Sequence, residues 1–591
     1  MSLPVIYSIN GPVIKLLDTE HFSMMEMVYV GHRRLVGEVI ALTDTETTIQ
    51  VYEGTAGLRT GEPVEPTGAP LCVTLGPGIL NNIFDGIERP LHTLEAVSGA
   101  FIADGLSVPV LDEERTYPVT VKMEIGDMVH PGEVYASCPE TSVILHLCMI
   151  PPQLSGRVVY AAPHGDYRIH DEILRVEDAK GIIQSLTLCQ KWPIRKARPA
   201  VRRMAPSRPM ITGQRVIDTL FPIARGGTAA IPGGFGTGKT MTQHQIAKWC
   251  DADIIIYIGC GERGNEMTQV LEEFTALADP RTGRSLMERT VLIANTSNMP
   301  VAAREASIYT GITLAEYYRD MGYHIAIMAD STSRWAEALR EISGRLEEMP
   351  AEEGFPAYLP SRLSEFYERT GCYETLSGHE GSVAVIGAVS PQGSDFSEPV
   401  TQNTKRFVRC FWGLDKSLAY ARHYPAIHWN LSYSEYLDDL SDYYTKQVHP
   451  KFTALRNAIS GILKEETELM DIVRLIGADV LPEEQKLTLE IARVIRVGFL
   501  QQNAFHKEDT YVPLDKQFRM MQLILHIHET AKALLAQGIS LNAMKDSGVF
   551  EQIIQVKYTI PNHQLSLFDT LTQSLDDTLN ALHTDKQEGL L

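Results

Sequence analysis

Residues 229–240 read Ala-Ala-Ile-Pro-Gly-Gly-Phe-Gly-Thr-Gly-Lys-Thr and match the phosphate-binding loop pattern GxxxxGK[ST]. The residues before the loop, Gly227 to Ile231, are typical of a short buried strand. The stretch from Met241 to Cys250 has apolar residues at helical spacing. A strand, a glycine-rich turn and a helix start are the context that this motif requires, whereas a plain turn with a surface lysine would not explain these flanks. The stretch therefore predicts a site for a nucleoside triphosphate.

The residue types of the loop suit phosphate binding. Its glycines let backbone N–H groups turn inward, and the helix N-terminus adds a favourable field. We expect Lys239 to contact the β- and γ-phosphates and Thr240 to offer its hydroxyl to Mg²⁺. The loop residues predicted to bind the nucleotide are Gly233, Gly234, Phe235, Gly236, Thr237, Gly238, Lys239 and Thr240.

Length and composition describe a large globular protein. The chain has 591 residues, of which 44% are hydrophobic and 21% charged, so we expect three or four domains. The formal net charge of −21 disfavours general binding to nucleic acid or to an anionic membrane.

The cysteines and the N-terminus indicate a cytosolic protein. The eight cysteines form no CxxC pair, so neither a zinc site nor a disulfide framework is predicted. We find no signal peptide and no run of about 18 apolar residues that would span a membrane.

Changes in pattern along the chain predict five segments. They are an N-terminal β-barrel at 1–75, a linker and start of the core at 76–109, a β-rich insertion at 110–195, an α/β nucleotide-binding domain at 196–435 and a helical domain at 436–591. The turn at 126–133 also resembles that of swinging-arm carrier domains, but Lys122 precedes it, which favours a plain β insertion. The basic, proline-rich stretch at about 190–212 is typical of a solvated linker.

A buried strand predicted at 253–259 is followed by Glu262 and Arg263. Ligands of open α/β sheets bind at the carboxyl ends of strands, so we expect both side chains at the same edge as the phosphate loop. A carboxylate there can position the water that attacks the γ-phosphate. An exposed Glu-Arg pair in a turn is the alternative, and these residues alone leave both interpretations open.

A second strand, predicted at 323–329, ends in Asp330. Mg²⁺ bound to phosphates requires a carboxylate, often through water, which favours Asp330 as a metal ligand over a helix N-cap. Arg334 follows one turn later and is a further candidate, although an arginine at a helix start is more often a surface group.

Six stretches together resemble the catalytic A subunit (alpha chain) of V-type and archaeal-type rotary ATPases. They are GGFGTGKT, GCGERGNEM, ADSTSRWAEALRE, FPAYLPSRLSEFYERTG, SPQGSDFSEPVTQNT and GLDKSLAYARHYPAIHW. The resemblance covers essentially the whole chain, and the insertion resembles the family's bulge region. It implies a multi-domain α/β fold with an N-terminal β-barrel, a β-rich bulge insertion, a RecA-like P-loop α/β core and a C-terminal helical bundle.

The resemblance also implies roles for individual residues. Glu262 would orient the attacking water, and Arg263 would help to organise the γ-phosphate. Asp330 would be the Walker B acid, with Arg334 beside it. The adenine pocket would include Phe235, Tyr424, Gln502 and Phe505.

Two loop positions depart from the family pattern. Thr237 stands where eukaryotic members carry a cysteine used for redox inhibition, so we expect no such regulation. Gly234 stands where we expected Pro or Ala, which loosens the turn but leaves its N–H groups available.

Substrates and partners follow from the same resemblance. ATP and ADP would be substrate and product, and Mg²⁺ the cofactor. B subunits would alternate with this chain in an A3B3 ring and supply an arginine finger. Central and peripheral stalks would join the ring to a membrane rotor that moves H⁺ or Na⁺. The chain would lie peripherally at the cytoplasmic face of the membrane, without a nucleic-acid partner.

Two other functions compete with this one. The first is a hexameric P-loop ATPase of secretion or RNA translocation, which the insertion and the acidic charge disfavour. The second is a nucleotide-binding subunit without catalysis, which the presence of Lys239, Glu262 and Asp330 opposes.

Overall fold

The computed structural model describes residues 3–17, 20–99, 102–477 and 480–588. The chain divides into two compact units, each built from three separate stretches. The described residues of Met1–Ala205, Arg225–Ala230 and Ala252–Val408 form the first unit, and those of Pro206–Ala224, Ile231–Asp251 and Arg409–Leu591 form the second.

The N-terminal part of the first unit is an antiparallel sheet in the order β1-β2-β5-β4-β3-β6. Alternate side chains of its strands point inward, so that Val28, Val30, Val39 and Ile49 share one apolar core. The strands are β1 Ser8–Asn10, β2 Val13–Leu16, β3 Glu26–Val30, β4 Leu35–Leu42, β5 Thr47–Val51 and β6 Val64–Pro70. Strands β7 Cys72–Leu75 and β8 Ile83–Phe84 and helix α1 Leu91–Ser98 follow.

The insertion forms two four-stranded sheets, in the orders β10-β13-β15-β16 and β12-β11-β9-β14. Their strands are β9 Thr116–Val121, β10 Met128–Val129, β11 Val134–Pro139, β12 Leu145–Met149, β13 Gly156–Ala161, β14 Gly165–Arg168, β15 Leu174–Glu177 and β16 Ile183–Leu186. Strand β17 Gln190–Pro193 pairs with β7, and β18 Arg202–Met204 pairs with a strand of the core.

The core alternates strands and helices. Its elements are β19 Thr228–Pro232, α2 Lys239–Trp249, β20 Ile254–Glu262, α3 Gly264–Ala276, β21 Thr290–Thr296, α4 Val301–Asp320, β22 His324–Asp330, α5 Thr332–Arg345, α6 Leu359–Glu368, β23 Gly371–Glu374, β24 Glu380–Val389, α7 Pro399–Phe407, β25 Cys410–Phe411, α8 Lys416–Tyr420 and β26 Tyr433–Ser434. In the first unit β24, β22, β20, β21 and β8 are neighbours in that order, and all four pairings are parallel. The chain crosses from the first unit to the second within β19.

The end of the chain is helical. Apolar side chains of one helix recur every three or four residues, as with Met521, Ile524, Ile527 and Leu534, and are buried. The helices are α9 Leu437–Tyr443, α10 Phe452–Ile476, α11 Glu483–Val494, α12 Leu514–Ala536, α13 Leu541–Asp546, α14 Val549–Thr559 and α15 Leu567–Glu588. No helix within the described ranges is both long and apolar enough to cross a membrane.

The basic stretch after the insertion is not a solvated linker throughout, which corrects the expectation from its composition. Arg195 bridges two buried carboxylates, with Nη2 2.8 Å from Oε2 of Glu38 in β4 and 2.8 Å from Oε2 of Glu305 in α4. Nε of Arg198 lies 2.6 Å from Oδ2 of Asp320. Other residues of the stretch lie at the surface, among them Lys196 and Arg202, the latter with 71% side-chain exposure.

Candidate functional site

The phosphate loop has the predicted strand–turn–helix context within the chain. Strand β19 ends at Pro232, and α2 begins at Lys239. Gly236 and Gly238 have φ of +78° and +88°, a conformation that side chains other than glycine adopt only with strain. A Cβ on Gly233 would lie 2.5 Å from Oγ1 of Thr237, so glycine is required there for packing.

Two side chains of the loop contact its own carbonyl oxygens. Nζ of Lys239 donates to the oxygens of Gly233 and Gly234, at 2.7 and 3.1 Å, so the ammonium group lies along the turn. Oγ1 of Thr237 donates to the oxygen of Gly234 at 2.8 Å and is buried. Thr240 occupies the second position of α2, at the helix end where N–H groups lack partners within the helix.

A cavity of about 960 Å³ opens beside the loop, entirely within the second unit, and it is large enough for a nucleoside. It is lined by Gln214, Gly236, Gly238, Met241, Thr242, Gln245, Arg422, Tyr424, Pro425, Gln501, Gln502, Asn503, Ala504, Phe505 and Tyr558. Loop glycines and two of the three aromatic side chains expected from the resemblance, Tyr424 and Phe505, therefore meet at one cavity. The third, Phe235, is not among the residues that line it.

The two aromatic side chains expected to hold the base are accessible. Tyr424 is 43% exposed and Phe505 92% exposed. A Cβ on Gly238 would lie 3.5 Å from Cε1 of Tyr424, which places that ring against the loop. Aromatic faces that are open to solvent can stack on a purine.

Gln502 is buried and holds neighbouring backbone groups in place. Its Nε2 donates to the oxygens of Gly213 and Asp509, at 2.8 and 2.7 Å, and its Oε1 accepts from the N–H of Arg215 at 2.9 Å. Its own N–H donates to the oxygen of Tyr424 at 2.7 Å. Gln502 therefore ties the two aromatic segments of the cavity together.

Two carboxylates lie on neighbouring strands of the first unit. Glu262 ends β20 and Asp330 ends β22, and the parallel register pairs Gly259 with Asp330. Burial raises the pKa of Glu262 to about 8, and the charge of Asp330 and a hydrogen bond with Glu266 act in the same direction. The hydroxyl of Tyr257 donates to Oδ2 of Asp330 at 3.1 Å.

Arg334 adjoins this carboxylate pair. It lies in the first turn of α5, and a Cβ on Gly261 would be 2.9 Å from the Cβ of Arg334. Its charge opposes the rise in the pKa of Glu262. Its guanidinium also pairs with Glu337, at 2.8 Å between Nη1 and Oε2. Arg263 precedes α3 and is exposed.

The structure adds residues that the sequence did not single out. Gln214, Arg422 and Tyr558 line the cavity, although they are distant from the loop in sequence. Glu266 contacts Glu262 from the first turn of α3. Its position in GCGERGNEM was the available signal, since a residue four positions after Glu262 falls in the first turn of the next helix.

Four family models match consecutive parts of the chain. They describe the beta-barrel domain of the ATP synthase alpha/beta family at residues 6–68, the barrel-sandwich domain of ATP synthase alpha and beta chains at 108–195, the nucleotide-binding domain of that family at 213–434, and the C-terminal domain of V and A type ATP synthase at 441–544. The fold and the loop thus define a nucleotide-binding chain of the ATP synthase alpha/beta family. The fold class predicted from the sequence is confirmed.

Curated relatives narrow the family further. The V-type ATP synthase alpha chain of Halothermothrix orenii is 58% identical over 99% of both chains. The corresponding A-type ATP synthase chain of Methanopyrus kandleri is 55% identical over 95% of both. The chain belongs to the family of V-type ATP synthase alpha chains and their A-type counterparts.

A solved structure shows how widely this fold is shared. The assembled ATPase EscN of the type III secretion system of enteropathogenic E. coli superposes with a TM-score of 0.64, covering 88% of this chain and 99% of its own. At 20% identity this likeness concerns the fold alone.

Proposed function

We propose that the chain binds ATP and ADP through the loop 233–240 and the cavity beside Tyr424 and Phe505. The chain is the catalytic subunit of a V/A-type ATP synthase, so the bound nucleotide is the one made or hydrolysed. The observation that carries the assignment is the loop itself, with Lys239 lying along the turn and an open aromatic cavity within the same unit. The relatives are ATP synthase chains, which disfavours the competing functions in secretion or RNA translocation.

The proposed reaction is in-line transfer of the γ-phosphoryl group to water, or its reverse. In hydrolysis the water oxygen bonds to the γ-phosphorus while the bond from that phosphorus to the bridging oxygen of ADP breaks. Lys239 holds the phosphates, and Glu262 orients the water through its carboxylate. Arg263 and Arg334 are proposed to organise the γ-phosphate.

Magnesium fits the donors proposed for it. A threonine hydroxyl and a carboxylate are oxygen ligands of the type that Mg²⁺ accepts, with water in its remaining positions. We assign Thr240 as a direct ligand and Asp330 as a ligand through water. When bound, the ion neutralises charge on the phosphates. Tyr257 is proposed to fix the orientation of the Asp330 carboxylate.

Partners complete the proposed enzyme. Arg334 already pairs with Glu337. This pairing favours the proposal that a further cation comes from outside the chain. We propose that neighbouring B subunits supply it as an arginine finger in an A3B3 ring. Central and peripheral stalks would connect this ring to a membrane sector that carries H⁺ or Na⁺, with the chain peripheral on the cytoplasmic face.

The proposed role of Lys239 is tested by substitution. In the complex reconstituted with its partner subunits, we expect Lys239→Ala to lose MgATP binding and ATPase activity. The control Lys446→Ala removes a lysine that is 68% exposed in the same unit, and it should leave both unchanged. Normal ATPase activity in Lys239→Ala would overturn the assignment.

A further inference from the structure

Three buried cationic side chains lie behind the cavity wall formed by residues 501–505, which we call the base wall. Arg215, Lys516 and Lys557 are 0, 0 and 3% exposed. They come from separate stretches of the second unit: Arg215 precedes the helical turn Val216–Leu220, Lys516 lies in the first turn of α12, and Lys557 lies in the last turn of α14. Burying three cations is costly unless each has partners that need it.

Two of these cations converge on one carbonyl of the base wall. The oxygen of Gln501 accepts from Nη2 of Arg215 at 2.8 Å and from Nζ of Lys557 at 3.1 Å. Arg215 also donates to the oxygen of Phe499, and Lys557 donates to that of Val497 at 2.7 Å. Val497 and Phe499 belong to the helical turn Ile495–Leu500, and the last carbonyls of a helix have no partner within it. The cations therefore cap the turn from which the base wall begins.

The base wall is the first part of a loop that ends where α12 begins, and the later part of this loop is held in a similar way. Nζ of Lys516 donates to the oxygen of Ile560 at 2.7 Å and to Oδ1 of Asn562 at 3.0 Å. The N–H of Asn562 in turn donates to Oε2 of Glu508 at 2.7 Å. This arrangement joins the loop to the turn that follows α14.

Asp509 connects the base wall to the later part of the loop. Its carboxylate is fully buried, pairs with Arg215 and accepts from the N–H of Asn503 in the base wall at 2.7 Å. Burial, and then the charge of Arg215, lowers the pKa of both Lys516 and Lys557 to about 8, while Asp509 opposes this shift. Replacing buried charged groups with apolar side chains of similar volume is often neutral or favourable for stability. Folding alone therefore does not account for these charges.

We propose that Lys557, supported by Lys516, is a positioning residue for the nucleotide base. Its ammonium group fixes Gln501 and thereby holds the base wall, with Phe505, in the arrangement that receives the base. Hydrogen bonds from a charged donor are shorter and stronger than neutral ones, which suits a loop with an exposed aromatic tip. The inference rests on the proposed function, in which the base lies against Tyr424 and Phe505.

The test is calorimetric titration of the full chain with MgADP. Lys557→Met keeps the apolar stem but removes the donor, so we expect affinity to fall about tenfold. Lys557→Arg retains a cationic donor and should restore most of the affinity. The surface variant Lys446→Met should bind as the unsubstituted chain does. If Lys557→Met does not fold, Lys557→Gln replaces it in the test. This variant keeps an uncharged donor, so we expect its affinity for MgADP to fall by less than tenfold.

Two further variants separate the explanations. Met521→Ala removes a buried side chain of α12, and a comparable loss of affinity there would mean that Lys557 acts only through stability. Unchanged affinity in Lys557→Met, or in Lys557→Gln, would also overturn the inference. If Phe505→Ala weakens binding while Lys557→Met does not, only the positioning role is wrong. If Phe505→Ala and Tyr424→Ala both bind MgADP normally, the proposed base site itself fails.

Discussion

The hydroxyl of Tyr257 donates a hydrogen bond to Oδ2 of Asp330, 3.1 Å away, inside the first unit. Tyr257 is 1% exposed, and burial, followed by the charge of Asp330, raises its pKa well above the usual value. The tyrosine therefore stays protonated and remains a donor. A fixed donor of this kind orients the carboxylate.

Tyr257→Phe is expected to raise the Mg²⁺ concentration that ATPase activity requires, although the carboxylate of Asp330 is retained. Loss of an orienting hydrogen bond should raise the Mg²⁺ concentration for half-maximal ATPase activity by about tenfold. The measurement is a Mg²⁺ titration of the reconstituted complex. Tyr420→Phe serves as the control, because Tyr420 is 85% exposed. An unchanged Mg²⁺ requirement in Tyr257→Phe would contradict the proposed role of Asp330.

The raised pKa of Glu262 predicts a stability effect that depends on pH. Because its pKa is about 8 in the folded chain and the ordinary value is 4.5, the folded state holds an extra proton between these values. Stability contributed by this group is therefore lost as pH rises through that window. Glu262→Gln should raise the apparent Tm relative to the unsubstituted chain at pH 8, by about 2–4 °C.

The same comparison at lower pH provides the control. Near pH 5 the carboxyl is largely protonated in the folded state and partly so in the unfolded state, so the difference between Glu262→Gln and the unsubstituted chain should shrink. A difference in Tm that is equal at pH 5 and pH 8 would mean that Glu262 does not titrate in this range.

Phe505→Ala separates base binding from stability. The side chain is 92% exposed, so its loss should leave the Tm unchanged. If it stacks on the base, the affinity for MgADP should fall about tenfold, since stacking on an aromatic ring contributes on the order of 1–3 kcal/mol. Tyr7→Ala, at 57% exposure in the other unit, is a suitable control. Unchanged affinity in Phe505→Ala would place the base elsewhere.

Arg195 is expected to stabilise the first unit strongly. Arg195→Met would leave Glu38 and Glu305 buried without their shared cation, at a cost of about 3–5 kcal/mol. Thermal unfolding and limited proteolysis should both report this loss. The matched control is Arg202→Met, from the same basic stretch, whose pair with Glu374 is exposed and contributes little. Equal effects of the two variants would show that the bridge is not a specific support.

The parts of the fold with local signals could be predicted from the sequence. The phosphate loop, β20 and β22 are encoded by glycine spacing and short apolar runs, and Glu262 and Asp330 stand at the strand ends as expected. Whether these two residues act in catalysis stays a prediction. The α/β core and the helical end follow from the same periodicities.

What the sequence could not reveal depends on contacts between distant residues. The partners of Arg195 lie 157 and 110 positions away, so composition alone suggested a solvated segment. Tyr424 and Phe505 resemble ordinary core aromatics until the fold brings them to one cavity. Lys516 and Lys557 give no local signal, because lysines in amphipathic helices are usually exposed.

The central claim is that Glu262 serves the chemical step and not nucleotide binding. The most direct measurement compares MgATP binding and ATPase turnover of Glu262→Gln in the complex reconstituted with its partner subunits. The substitution keeps the shape of the side chain but replaces the carboxyl group with an amide that cannot ionise. We predict near-normal MgATP binding and turnover reduced about 10³-fold. Turnover within about twofold of the unsubstituted complex would contradict the account.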